Sequence, residues 1–200
     1  MPTFDDTRAA LLQLLAQLSF KLGDFTLASG AKSDYYIDCR TTTLHAEGGR
    51  LAGLALYDVI RRQLPGIEAV GGLTMGADPL VSNTASASAW YAIDYPGTPL
   101  VNGFLVRKAE KAHGTGRKIE GFLKPGAQVV IVDDVCTTGG STITAIEAAK
   151  EAGMIVSGAL CLVDRQQGGR AAIEKSAGSA PFISLFTAAD VRAVHIALNK

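Results

Sequence analysis

The segment Val129-Val-Ile-Val-Asp133-Asp134-Val135-Cys136-Thr137-Thr138-Gly139-Gly140-Ser141-Thr142 runs from branched apolar residues through two acids into a Thr/Gly-rich turn. Residues 128–132 have no polar face, the pattern of a strand buried on both sides of a parallel sheet. Residues 141–152 then predict a helix. Backbone N–H groups at a helix start, with glycines permitting close approach, form an anion cradle. Thr137, Thr138, Ser141 and Thr142 add hydroxyl donors to it. Asp133 and Asp134 would repel a bare phosphate, so ligand hydroxyls or a Mg²⁺ ion must lie between them and it. A sugar phosphate meets that need, with its phosphate on the cradle and its hydroxyls on the two acids. Two adjacent acids alone would read as a strand end with a cap, but the whole array is more specific than that. The chain has no G-x-x-x-x-G-K-[ST] and no G-x-G-x-x-G, because Gly114-Thr-Gly116 lacks the third glycine and follows no strand.

Outward from this segment, strands and helices alternate. Strands are expected at 35–38, 68–72, 99–106, 155–163 and 181–185, and helices at 5–18, 45–63, 78–91 and 170–177. Leu11, Leu14, Leu15 and Leu18 share one face of the first helix, and Pro65-Gly66 stops the second. This alternation predicts an α/β fold with a mainly parallel central sheet flanked by helices. In such sheets ligands sit at the carboxyl ends of the strands, where Asp133 and Asp134 fall.

The chain has 200 residues, enough for one domain spanning 1–200. Hydrophobic residues make up 48% and charged residues 19%, a globular balance. Lys+Arg and Asp+Glu both number 19, which removes the overall basic field of a nucleic-acid binder. Cys39, Cys136 and Cys161 form no C-x-x-C pair and no disulfide framework. Asp5 and Asp6 stand where a signal peptide would be basic, and no run is long enough to span a bilayer. A cytoplasmic protein without membrane contact is expected.

The positive charge is concentrated. Residues 107–120 contain Arg107, Lys108, Lys111, Arg117 and Lys118 around Gly114 and Gly116. A cationic, glycine-bearing segment without periodicity predicts a mobile loop that closes over a polyanion and excludes water. A solvated lysine-rich loop is the plainer alternative. Trp90, Tyr91 and Tyr95 read as a helix end packed on core or partner, and Phe182, Leu185 and Phe186 as core. His45 and His195 have no ligand-spaced partner. Ser29-Gly-Ala-Lys32 matches S-x-x-K, but no accompanying motif follows.

The segment 129–142 resembles the phosphoribosyl pyrophosphate (PRPP) signature of the type I phosphoribosyltransferases. Arg107-Lys-x-x-Lys111-x-His113-Gly is similar to the catalytic loop of the orotate phosphoribosyltransferase family. Residues 25–38 resemble that family's N-terminal segment, Gly71–Pro79 its pyrophosphate loop, and Asp164-Arg165 its base-recognition arginine. The resemblance implies the type I fold with a small N-terminal hood over about residues 1–40 and a mobile catalytic loop at 107–120. It also implies transfer of phosphoribosyl from PRPP to orotate, giving orotidine 5′-monophosphate and pyrophosphate. On that footing Arg107, Lys108, Lys111, His113, Asp133, Asp134 and 135–141 (Val135, Cys136, Thr137, Thr138, Gly139, Gly140, Ser141) would bind PRPP. Thr137, Arg165 and Lys32 would bind orotate, and Lys111, His113, Asp133 and Asp134 would serve catalysis.

Mg²⁺ would enter with the substrate near Asp133 and Asp134, without a dedicated protein cage. A homodimer would place loop 107–120 in the neighbouring site. Ala28 and Gly76 stand where some relatives carry lysine, leaving more of the electrostatics to Lys32 and the loop. Cys136, near a helix start, is a candidate for a lowered thiol pKa and oxidative inactivation, or else a small apolar filler. A purine phosphoribosyltransferase is the nearest alternative, but a purine offers no carboxylate to Arg165. A PRPP-sensing nucleic-acid regulator would need a basic face that the rest of the chain lacks.

Overall fold

The computed structural model describes residues 3–26, 30, 32–108 and 118–200. Helix α1 (Phe4–Leu14) starts at a reciprocal cap, in which the Thr3 hydroxyl accepts from Asp6 N–H and the Asp6 carboxylate accepts from Thr3 N–H. It continues through a π-helical turn at Leu15–Ser19, so the expected helix 5–18 changes pitch near its end. Next come β1 (Phe20–Thr26) and β2 (Lys32–Ile37), an antiparallel pair. The short α2 (Arg40–Thr43) and the long α3 (Ala46–Gln63) lead to the main sheet.

That sheet is built from β3 (Ala69–Leu73), α4 (Asp78–Asp94), β4 (Asn102–Val106), β5 (Ile119–Gly121), β6 (Gln128–Cys136), α5 (Gly140–Glu151), β7 (Ile155–Asp164), α6 (Gly169–Ala177) and β8 (Phe182–Thr187). Helix α7 (Ala188–Leu198) closes the chain. The strand order is β5-β4-β3-β6-β7-β8, parallel throughout except for the β4–β5 edge pair. From β3 the chain moves outward to β4, then returns to lay β6 on the other side of β3 and continues outward. The order therefore reverses between β3 and β6, and a ligand crevice opens at their carboxyl ends.

The apolar run in β6 is buried on both faces, as expected. Val130 and Val132 pack with α1, α3 and α4, whereas Val129 and Ile131 pack with α5 and α6. Phe182, Leu185 and Phe186 are core. Three corrections apply. β6 runs on through Cys136, so Asp133 and Asp134 lie within the strand end rather than after it. Residues 119 and 120 belong to β5, because Ile119 is buried against the second core and Arg107 N–H donates to Lys118 O at 2.9 Å. The N-terminal hairpin is also joined by α7, whose His195 Nδ1 lies 2.7 Å from Ala16 O and whose ring packs on Phe20. Among the described residues no helix is long and apolar enough to cross a membrane.

Candidate active site

Parallel pairing brings the ends of β3 and β6 side by side, and a cavity of about 280 Å³ opens there. Its floor is Asp133, Asp134 and Val135 from β6, with Ser141 from the first turn of α5. One wall is the turn from Leu73 to Gly76 after β3, which includes a cis peptide between Thr74 and Met75. The opposite wall is Tyr36, Ile37, Asp38 and Arg40, where β2 ends, and Lys108 stands at the rim.

The two acids differ in role. Asp133 is 7% exposed, and its carboxylate accepts from the Thr142 hydroxyl at 2.8 Å and from Asp134 N–H at 3.0 Å. Burial, then the charge of Asp134, pushes its pKa up to about 7. Asp134 is half-buried and accepts from Val135 N–H at 2.9 Å; burial raises its pKa too. Thr142 is therefore not a donor to the anion cradle: the helix phase turns it inward, onto Asp133. Close packing under Asp134 has a sequence cause at Gly76, where a Cβ would lie 2.5 Å from Asp134 Oδ1. A side chain at 76 would displace that carboxylate.

The turn expected to form an anion cradle leads directly into α5. Gly139 takes the left-handed conformation at φ 83° and caps α5 without any side-chain hydrogen bond, so the first N–H groups of the helix have no side-chain cap among the described residues. A Cβ at Gly139 would meet Ile173 at 2.8 Å, while one at Gly140 would meet nothing within 4 Å, because Gly140 faces open space. The turn is braced from beneath by Gly169, whose missing Cβ leaves room for Cys136 Sγ and Thr137 O.

That packing corrects the expectation for Cys136. Its side chain points into the core at 1% exposure, and burial pushes the thiol pKa up to about 12. Only its backbone remains for ligand contact, and the thiolate needed for oxidation is absent near neutral pH. Cys39 and Cys161 are buried as well, with thiol pKa values raised by burial.

Arg165 sits at the end of β7, next to the cradle. Its N–H donates to Cys136 O at 2.8 Å, and Asp164 accepts from Gln166 N–H at 2.7 Å to hold the turn, with Gln166 at φ 57°. The guanidinium lies over the Tyr35 ring at 4.7 Å and donates through Nη2 to Ser33 Oγ at 3.2 Å. Its Nε is buried with no hydrogen-bond partner among the described residues.

Other candidates are placed elsewhere. Lys32 does not line the cavity; its Nζ donates to Thr26 Oγ1 at 2.8 Å across the hairpin. Arg107 is turned to Glu120 at 3.0 Å. Lys111 and His113 lie outside the described residues. Of the wall residues, Tyr36, Asp38 and Met75 fall in two of the segments that carry the resemblance without being singled out there, and Arg40 lies outside both. Tyr36 and Asp38 do lie in the Tyr35-Tyr36-Ile-Asp38 stretch, but only the tertiary pairing shows where it is aimed. Among the described residues no cluster of three or more His, Cys, Asp or Glu could hold a metal.

Residues 85–178 match the phosphoribosyl transferase domain family. The orotate phosphoribosyltransferase of Synechocystis sp. is 44% identical over 190 residues, 94% of this chain and 90% of that protein. The orotate phosphoribosyltransferase of Mycobacterium tuberculosis H37Rv, solved with Fe(III) dicitrate, superposes with a TM-score of 0.77 at 38% identity, covering 92% of this chain and 98% of that one. The same enzyme solved with PRPP gives a TM-score of 0.71 at 31% identity over 92% and 91% of the two chains.

Proposed function

The chain belongs to the orotate phosphoribosyltransferase family, and we propose that the cavity between β3 and β6 is where it transfers the phosphoribosyl group of PRPP to orotate. The products are orotidine 5′-monophosphate and pyrophosphate, a step of pyrimidine biosynthesis. The observation that carries this reading for the chain's own residues is the side-by-side arrangement of an uncapped helix start and two carboxylates at the strand-order reversal. Donors and acceptors are then spaced for one molecule that has a phosphate at one end and hydroxyls in the middle.

The N–H groups at the start of α5, with Thr137, Thr138 and Ser141, hold the 5′-phosphate. Asp133 and Asp134 accept the ribose hydroxyls, which relieves the burial of two neighbouring charges. The hard carboxylate oxygens suit Mg²⁺ brought in on the pyrophosphate, where the ion supplies charge neutralisation of the leaving group. Lys108, with Lys111 and His113, stabilises negative charge as pyrophosphate departs and C1′ becomes cationic. A second copy of the chain completes the site with residues 107–120. The exposed, uncharged side of α4 that carries Trp90 and Ile93 supports such a homodimer. We place the enzyme in the cytoplasm.

Arg165 recognises the orotate carboxylate. Stacked on Tyr35 and partly satisfied by Ser33, its guanidinium has its direction fixed before ligand arrives, and Nε still lacks an acceptor among the described residues. Arg165→Ala should raise the KM for orotate about 10–100-fold, the range for a lost charge-assisted pair, and leave the KM for PRPP within about 3-fold. Equal weakening toward both substrates would contradict the carboxylate role.

A further inference from the structure

Three carboxylates, Asp38, Asp133 and Asp134, line the cavity that must admit a polyanion, and among the described residues Arg40 and Lys108 are the cations lining it. Lys108 follows β4, whereas Arg40 opens α2 just after β2. Its orientation is set by Asp38: Arg40 N–H donates to Oδ1 at 3.1 Å, Nε to the same oxygen at 2.8 Å, and Nη2 to Oδ2 at 2.8 Å. This two-pronged pair holds the Asp38 carboxyl below its usual range and consumes one edge of the guanidinium. Nη1 has no hydrogen-bond partner among the described residues, and the side chain is 44% exposed. Arg40 lines the same cavity as Asp134 and the turn from Thr74 to Gly76, and Gly76 lies directly against the Asp134 carboxylate.

We propose that Arg40, oriented by Asp38, binds the pyrophosphate group of PRPP through the outer edge of its guanidinium. The inference rests on the sugar-phosphate reading of the cavity. A pyrophosphate lying between Asp134 and the 74–76 turn meets the arginine edge that Asp38 leaves open. Without it, the fixed part of the site would present three acids to a highly charged anion. Asp38 is then a positioning residue: it neutralises half of Arg40's donor set and aims the remainder.

Titration calorimetry with Mg²⁺ present tests this, using PRPP, inorganic pyrophosphate and ribose 5-phosphate as separate probes. Arg40→Gln should weaken PRPP and pyrophosphate about 10–100-fold and leave ribose 5-phosphate within about 2-fold. Arg40→Lys, which keeps the charge and loses the fork, should fall between. Asp38→Asn should show the same selectivity with a smaller loss. Equal loss for ribose 5-phosphate would mean that Arg40 only supports the wall and would overturn the proposal. So would undiminished PRPP binding by Arg40→Gln alongside normal wild-type binding. Failure of the wild-type protein to bind PRPP would instead overturn the reading of the cavity, and the role of Arg40 with it.

Discussion

Asp133→Asn should make the protein more resistant to heat at pH 8 and far less active. Asp133 keeps its carboxylate almost wholly out of water beside Asp134, and its pKa stands near 7 against an ordinary value of 3.8. A carboxyl whose pKa is raised by folding binds its proton more tightly in the native state. Its contribution therefore favours the native state at low pH and is lost as pH rises from about 4 through 7. A tenfold difference in proton affinity between the folded and unfolded chain is worth about 1.4 kcal/mol. Asparagine keeps the shape, accepts Asp134 N–H and donates to the Thr142 hydroxyl, and carries no charge. The melting-temperature gap between variant and wild type should be smallest near pH 4, widen to pH 7 and level off above. At pH 8 it should reach on the order of 5 °C or more for a chain of this size. The same change removes an ionic acceptor for a ribose hydroxyl, so kcat/KM should fall about 10²-fold. A gap that does not change with pH would show that Asp133 does not titrate as described, and retained activity would show that it is not the ribose acceptor.

Lys111→Ala should produce the larger kinetic loss. Residues 109–117 follow Lys108, which lines the cavity two residues after β4, and precede Lys118, whose carbonyl accepts from Arg107 N–H at 2.9 Å. The residue before this segment therefore lies at the cavity. Arg107 is engaged with Glu120, so the charge facing a departing pyrophosphate falls to Lys108, Arg40 and the segment itself. A donor that meets charge only as it develops acts on kcat more than on affinity. Removing one such donor costs ~3–4 kcal/mol, so kcat should drop about 10²–10³-fold while the KM for PRPP changes less than about 5-fold. Steady-state rates with saturating orotate check it. A rate within 2-fold of wild type would take Lys111 out of the chemistry.

Much of the sheet is legible in the sequence because its signal is local. A strand buried on both faces shows as an unbroken apolar run, and Val129–Val132 is one; the turn and helix start after it follow from glycine and hydroxyl spacing. Less legible are elements stabilised from outside. β1, with residues 21–24 all exposed, carries no clean alternation and exists through its pairing with β2. β5 is three residues long inside a charged stretch and is held by Ile119 entering the core. α7 is hidden because its footing is the N-terminal π-helical turn, far away in sequence.

The site divides in the same way. Asp133, Asp134 and the cradle lie within nine residues and can be read together. Arg40 and Asp38 reach the cavity only through tertiary packing that brings the end of β2 against the ends of β3 and β6. Thr142 and Cys136 look ligand-facing from their neighbours in sequence, yet the phase of the helix turns Thr142 inward, and Cys136 packs with Val129, Ile131 and Ile173 in the core on the α5/α6 side.

The central claim is tested most directly by following ultraviolet loss of orotate on mixing protein with PRPP, with Mg²⁺ or with excess chelator, and with adenine, hypoxanthine and uracil as parallel acceptors. Mg²⁺-dependent consumption of orotate, and of no other base, is the predicted result; consumption of a different base, or none with PRPP bound, would contradict it.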